Sequence, residues 1–200
     1  MKHLLIASIA SLVLLSPAHA AGDAEAGKTK SAACAACHGP DGNSPAPTFP
    51  KVAGQHADYL AKQLTEYKNG DRQNATMTAM AAALSEQDIA DLAAFYASQQ
   101  VTVGKAAEDK VATGEAIYRA GNSETGVSAC AACHGPRGNG NPMANFPSLY
   151  GQHADYTAAQ LKAFRAGERA NDANSMMRGI AQKMTDAEIE AVAQYIQGLH

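Results

Sequence analysis

The sequence predicts an all-α protein made of two tandem copies of one helical unit. No stretch shows the apolar and polar alternation with a period of two that marks a strand. The segment CAACHGPDGN at 34–43 returns as CAACHGPRGN at 130–139, with nine of ten residues unchanged. GQHADY at 54–59 returns at 151–156, and the offset between copies grows from 96 to 97 and then to 100. Such drift, confined to loops, is what tandem duplication leaves.

Residues 1–20 predict a secretory signal peptide. Lys2 gives a basic start, residues 4–15 are almost wholly apolar, and Ala18 and Ala20 form a small-x-small cleavage site. The apolar run is shorter than the roughly 20 residues that a membrane-spanning helix needs. We therefore expect an exported protein that resides in a bacterial periplasm.

Each unit is predicted to contain three main helices and a loop rich in glycine, proline and asparagine. Ser85 and Thr185 are predicted N-caps of the last helices, because acidic residues follow them in the first turn. Gly70 and Gly167 are predicted to end the preceding helices. The predicted first and second helices are 24–31 and 57–68 in the first unit, and 112–120 and 154–166 in the second.

We place the boundary after the first unit's last helix, with a first domain at 21–103 and a second at 104–200. The first domain holds six Lys/Arg and nine Asp/Glu, and the second holds nine and ten. Neither is basic enough to predict a nucleic-acid partner. With no tryptophan and four phenylalanines in 200 residues, each domain has few large side chains for a core. We expect a bound group to complete each core.

The repeated Cys-x-x-Cys-His segment is typical of covalent haem attachment. The four cysteines are Cys34, Cys37, Cys130 and Cys133. Disulfides, which export favours, and a four-thiolate zinc site are the alternatives. Neither needs the histidine after each pair, and the gap of 92 residues between pairs is far longer than in a zinc ribbon. The residues therefore favour two haem c groups, each with its iron bound by one histidine, His38 or His134.

A matched pair of methionines is predicted to bind the other face of each iron. Met77 and Met177 face each other when the two units are aligned, each in a loop before a capped helix. A methionine ligand raises the reduction potential and closes the iron, whereas an open position allows gas binding or peroxide chemistry. Met80 faces Ile180 and is expected in the core. Met176 is the main rival in the second unit.

The sequence also predicts the environment of two histidines, two prolines and one further methionine. His56 and His153 are the alternative sixth ligands, but we expect them to be solvated at helix starts. Pro50 and Pro147, of the repeated FP dipeptide, are candidates for the backbone carbonyl that accepts a hydrogen bond from the proximal histidine. Met184 faces a leucine and is expected in the core.

The order of short helix, Cys-x-x-Cys-His, loop, helix, methionine loop and final helix resembles a class I c-type cytochrome. Two such units behind a leader, with HGxxGN, FPxxxGQHADY and a terminal YIQGLH, resemble the dihaem cytochrome c4 family over essentially all of the chain after the leader. The resemblance implies an all-α fold of two tandem class I cytochrome c domains, each wrapped around one covalently attached haem. It implies thioether links at the four cysteines, proximal ligation by His38 and His134, and distal ligation by Met77 and Met177.

The resemblance also implies an electron carrier rather than an enzyme. Its implied partners are redox proteins of the respiratory chain, namely a quinol-oxidising complex or another donor and a terminal oxidase as acceptor. Peripheral association with the inner membrane is implied as well. A dihaem peroxidase-type enzyme with one open haem is the alternative, and two matched methionines argue against it. A gas-binding sensor is a second alternative, which a failure of the reduced protein to bind carbon monoxide at neutral pH would exclude.

Overall fold

Helices form nearly all of the regular structure. The computed structural model describes residues 22–199, and the predicted signal peptide lies outside these described residues. Between those limits, β pairing is confined to two isolated bridges, Asn122 with Val127 and Asn141 with Phe146. The all-α prediction is therefore confirmed. Over the same described span, no helix combines the length and apolar character needed to cross a membrane.

The helices of the two halves follow the same order. In the first half they are α1 (Ala24–Lys30), α2 (Ala35–His38), α3 (Ala57–Asn69), α4 (Ala75–Ala81) and α5 (Glu86–Ala97). In the second half they are α6 (Glu108–Ala120), α7 (Ala131–His134), α8 (Ala154–Ala166), α9 (Met176–Ala181) and α10 (Asp186–Gln197). Among the helices predicted from the sequence, α6 departs most from its predicted bounds, because it begins at Glu108, four residues before the predicted start at 112. Glu108 and Asp109 lie in its first turn, where acidic side chains stabilise a helix start.

The final helix of each half begins at a capping box, as the sequence predicts. The Ser85 hydroxyl accepts from the Asp88 N–H at 3.1 Å, and the Asp88 carboxylate accepts from the Ser85 N–H at 2.9 Å. Thr185 and Glu188 repeat the exchange at 3.2 and 2.8 Å. Such a cap is worth about 1 kcal/mol. The predicted stops of α3 and α8 are left-handed C-caps, Gly70 and Gly167.

The first and last helices of each half cross at a glycine. A Cβ at Gly27 would lie 2.0 Å from the Asp91 carbonyl oxygen of α5. A Cβ at Gly114 would lie 2.2 Å from the Ala191 carbonyl oxygen of α10. Glycine lets α1 approach α5, and α6 approach α10, closely enough for backbone contact. Since α3 packs on α5 and α8 packs on α10, each half is built around its last helix.

The two halves meet through hydrogen bonds that repeat with near-twofold symmetry. The Gln55 side chain accepts from the Ser148 N–H at 2.9 Å and donates to the Ser148 carbonyl at 2.8 Å. Gln152, 97 positions later, makes the same two contacts with the backbone of Lys51, at 2.9 and 2.8 Å. Each glutamine thus satisfies two backbone groups of the opposite half.

The histidines of GQHADY lie in the same interface. Nε2 of His56 is 2.8 Å from the Asn139 carbonyl oxygen, and Nε2 of His153 is 2.8 Å from the Ser44 carbonyl oxygen. The expectation that these side chains are merely solvated at helix starts is wrong, because each reaches a carbonyl that only the opposite half supplies.

A pair of arginines completes the contact between the halves. Arg72 and Arg169 lie 97 positions apart, and each guanidinium donates to a tyrosine hydroxyl and a glutamine oxygen across the interface. The acceptors are Tyr156 and Gln160 for Arg72, and Tyr59 and Gln63 for Arg169. Each guanidinium also stacks on a ring of its own half, Arg72 at 4.7 Å from Tyr67 and Arg169 at 4.5 Å from Phe164.

Candidate functional site

The histidine of each repeated motif is buried and oriented by a backbone carbonyl. His38 ends α2 and His134 ends α7. Nδ1 of His38 lies 2.9 Å from the Pro50 oxygen, and Nδ1 of His134 lies 2.9 Å from the Pro147 oxygen. Because a carbonyl can only accept, Nδ1 carries the proton and Nε2 keeps a lone pair for a metal. The acceptors expected from the FP prolines are confirmed.

Burial prepares both imidazoles for iron. It lowers the pKa of His38 and of His134, and the bond to the proline carbonyl only partly offsets this effect. Both rings are therefore neutral at neutral pH, which is the form that binds a metal.

No disulfide joins the four cysteines, and in each half the second cysteine and its histidine lie on one short helix whose N-cap is the first cysteine. The His38 N–H donates to the Cys34 carbonyl at 3.0 Å, so this segment is a closed helical turn. Residues three and four apart lie on one face of a helix, which places both sulfurs and the imidazole on the same side.

Three predicted residues of the first half, Cys34, His38 and Met77, line one apolar cavity, whereas Cys37 is not part of its wall. Its wall holds Cys34, His38, Met77, Met80 and Tyr96, surrounded by Val52, Leu60, Leu64, Leu84 and Leu92. Thiol, imidazole and thioether groups around an apolar space suit a covalently held haem. Among the described residues, no group of three or more His, Cys, Asp or Glu side chains could hold a metal ion, so nothing there supports a four-thiolate zinc site.

The methionines separate by burial. Met77 is half-buried in the cavity wall, and Met177 is half-buried in α9 of the second half. Met176 is 40% exposed. Met184 is buried, as predicted, but the prediction that Met80 is core is wrong, since its side chain is 40% exposed. Met80 borders the cavity.

Several functional residues were missed by the sequence reasoning. Gln55, Gln152, Arg72 and Arg169 form hydrogen bonds that join the two halves. A signal was present, because GQHADY and the two arginines repeat at one offset of 97 although haem attachment does not require them.

Known proteins share this sequence and this fold. The cytochrome c family model matches residues 24–100 and 111–200. The chain is 51% identical over 201 residues to the cytochrome c4 of Pseudomonas aeruginosa, with both chains fully covered. It is 39% identical over 198 residues to a thiosulfate dehydrogenase electron acceptor of Thiomonas intermedia, covering 96% of this chain and 88% of that protein. The crystal structure of reduced recombinant cytochrome c4 from Pseudomonas stutzeri matches with a TM-score of 0.88 at 50% identity, covering 90% of this chain and 100% of that chain.

Each matched segment contains one attachment motif with its carbonyl-oriented histidine. Haem c is accordingly the cofactor of both halves, bound covalently, and redox proteins are the partners. Similarity to cytochrome c4 over the full length, in sequence and in fold, shows that the chain belongs to the cytochrome c family, as a dihaem electron carrier of the cytochrome c4 type.

Proposed function

We propose that the protein carries electrons in the periplasm from a quinol-oxidising complex, or another donor, to a terminal oxidase. The carrying step is Fe(II)/Fe(III) cycling at two His/Met haems. One observation supports this most directly: Met77 lines the same cavity as the carbonyl-oriented His38, and Met177 holds the corresponding place in α9. Two strong ligands hold iron in one geometry in both oxidation states, which favours electron transfer over substrate chemistry.

In this proposal the thiols of the four cysteines form the thioether links, and His38 and His134 are the proximal ligands. Met77 and Met177 are the distal ligands. When bound, haem supplies the one-electron chemistry. The chain's own side chains exclude water and hold the ligands, and the carbonyls of Pro50 and Pro147 keep each imidazole proton at Nδ1.

The proposed processing and domain limits follow the sequence. Residues 1–20 are removed, the first domain is 21–103 and the second is 104–200. The packing of α1 on α5, and of α6 on α10, supports a boundary between α5 and α6. Because the leader directs export and the attachment motif recurs in both halves, we place haem attachment and function in the periplasm, with peripheral association at the inner membrane.

Two classes of enzyme are candidates for the electron donor. A quinol-oxidising complex is the donor we expect. The 39% identical relative bears the name of an acceptor for thiosulfate dehydrogenase, so that class of enzyme is the second candidate. Docking in either case is expected to be weak and to use a small surface, as in other electron-transfer encounters.

The test uses the full-length holoprotein purified from the periplasmic fraction. We expect a mature chain beginning at Ala21, with a mass that includes two haems. Bacterial membranes supplied with a quinol should reduce it, and oxidase-containing membranes should reoxidise it. Reduction by thiosulfate dehydrogenase but not by the quinol-supplied membranes would replace the donor. Turnover of hydrogen peroxide, or binding of carbon monoxide at neutral pH, would contradict a pair of closed haems.

A further inference from the structure

The two halves hold their methionine helices by different contacts. In the first half, the Asn74 side chain accepts directly from the Met77 N–H at 2.9 Å. The residue that follows Asn74 by the interface offset of 97 is Asn171. Its side chain instead crosses to the first half, donating to Gln63 at 2.8 Å and to Glu66 at 2.7 Å. The second half therefore needs another group to fix the start of its methionine helix.

Asp172 supplies that group through Arg178. One carboxylate oxygen of Asp172 accepts from the Arg178 N–H at 2.9 Å, and the other accepts from the guanidinium Nε at 2.7 Å. Only 4% of the Asp172 side chain is exposed, against 28% for Arg178. The first half has Thr78 where the second has Arg178, so this ion pair exists in one half alone.

The pair sits beside two adjacent methionines. Three more residues separate Asn171 from Met177 than separate Asn74 from Met77. The inserted segment turns sharply at Asn174 and Ser175, whose φ angles of 52° and 56° are left-handed. The chain then enters α9 at Met176. Neighbouring residues on a helix point about 100° apart. One sulfur can face the iron only if α9 keeps a single orientation.

We propose that Asp172 and Arg178 form a latch that fixes the start of α9, so that Met177 and not Met176 is presented to the second haem. This inference rests on the proposed distal role of Met177. Arg178 follows Met177 directly, so a buried acceptor on its N–H holds the backbone next to the ligand. Asp172 in turn follows Asn171, which is bonded to α3 of the first half.

Without the latch, the six-residue α9 has no side-chain cap, and Met176 is one residue from the ligand position. A rotation of α9 by about 100° then exchanges one sulfur for the other. The first half has no such competitor at the adjacent position, because residue 76 is a threonine and Met80 lies one turn further on. Asp172 and Arg178 are thus positioning residues, which act on the iron only through Met177.

The test is proton NMR of the reduced, full-length holoprotein. Ring current in a ferrous haem moves the methyl resonance of a bound methionine far upfield, so the wild type should show one such resonance per haem. In Asp172→Ala, we expect the second-haem resonance to split into two, with a combined intensity of one methyl group. Adding Met176→Leu to Asp172→Ala should restore a single resonance. Met176→Leu alone should change nothing.

Asn74→Ala is the matched control, and it should disturb only the first-haem resonance. If Asp172→Ala yields no holoprotein, Arg178→Gln removes the guanidinium while keeping the backbone N–H and is read in the same way. An unsplit second-haem resonance at its wild-type position in the latch variants would overturn the proposal. If Met177 is not the distal ligand, the outcome differs. Met176→Leu alone would then abolish the second-haem methyl resonance, or the wild type would show no such resonance.

Discussion

Gln55 bonds both backbone polar groups of Ser148, accepting from its N–H at 2.9 Å and donating to its carbonyl at 2.8 Å. Gln152 likewise accepts from the Lys51 N–H and donates to the Lys51 carbonyl. A backbone group buried without a partner is costly, so a side-chain amide that satisfies two of them is well suited to an interface between loops. The repeated GQHADY segment therefore joins the halves.

Replacing Gln55 should weaken the contact between the halves. Gln55→Ala leaves the Ser148 N–H and carbonyl without their partner, and we expect a loss of about 1–3 kcal/mol in the free energy of unfolding. Denaturant unfolding of the holoprotein, followed by circular dichroism, measures it. Gln73→Ala, at an exposed position, is the control and should unfold like the wild type. Equal stability of the two variants would contradict this role for Gln55.

The close helix crossings should not tolerate a methyl group. Gly27→Ala and Gly114→Ala place a Cβ about 2 Å from a carbonyl oxygen of the last helix, so the helices must separate. We expect each to lower the free energy of unfolding by about 1–3 kcal/mol or more. Gly179→Ala is the matched control, because a Cβ there meets nothing within 4 Å. It should stabilise α9 by about 0.5–1 kcal/mol. Thermal unfolding of the three variants would reveal the opposite signs.

Each distal methionine should control one reduction potential. Met77→His and Met177→His exchange sulfur for imidazole, and a second histidine ligand lowers the potential. In a spectroscopic redox titration, we expect one of the two potentials to fall in each variant while the other stays nearly constant. Met143→Leu is the control, since that side chain is 95% exposed. A fall in both potentials, or in neither, would argue against the assignment of that methionine.

Asp91 should make the first half sensitive to acid. Its carboxylate accepts from the Asp23 N–H at 2.8 Å, from Lys30 at 2.6 Å and from Gln87 at 2.7 Å, and these bonds, that from Asp23 foremost, lower the pKa of Asp91. A carboxyl with a depressed folded-state pKa stabilises the fold above its ordinary pKa near 3.8, and this contribution is lost as the pH falls below it.

The measurement is urea unfolding of wild type and Asp91→Asn at about pH 6 and about pH 3. The variant should be the less stable of the two at the higher pH, and the difference should narrow at the lower pH. The second half carries Ala191 at the equivalent position and provides an internal reference. A difference that stays constant with pH would show that the charge of Asp91 contributes nothing.

Local signals in the sequence were sufficient to predict the three main helices of each half, but the expectation that Met77 and Met177 lie in loops is wrong, since they lie in α4 and α9. Ser85 and Thr185 cap helices because each can exchange hydrogen bonds with an acidic residue three positions later, and this needs no information from distant parts of the chain. The proline carbonyls could be predicted for a similar reason, since the FP dipeptide returns at nearly the same distance from each motif.

Contacts between the halves could not be predicted in the same way. Whether His56 is solvated or bonded to Asn139 depends on how the halves dock, and the repeat of GQHADY at one offset does not show which groups face each other. The exposure of Met80 was missed because alignment with Ile180 suggested a core position, whereas the side chain borders the cavity. The latch could not be predicted because Asp172 lies next to the inserted residues and Arg178 aligns with Thr78, which cannot form an ion pair.

The two surfaces of the near-twofold contact lie on one chain, so they need little intrinsic affinity for each other. Two separate molecules could pair through such a surface, but here one polypeptide carries both copies of it. The Lys51 ammonium donates to the Thr102 carbonyl in the segment that connects the two halves. A short tether gives the partner surface an effective concentration in about the millimolar range. Amides, imidazoles and guanidinium groups can then hold the halves together without a broad apolar face, and two cofactors stay at a fixed separation however dilute the protein becomes.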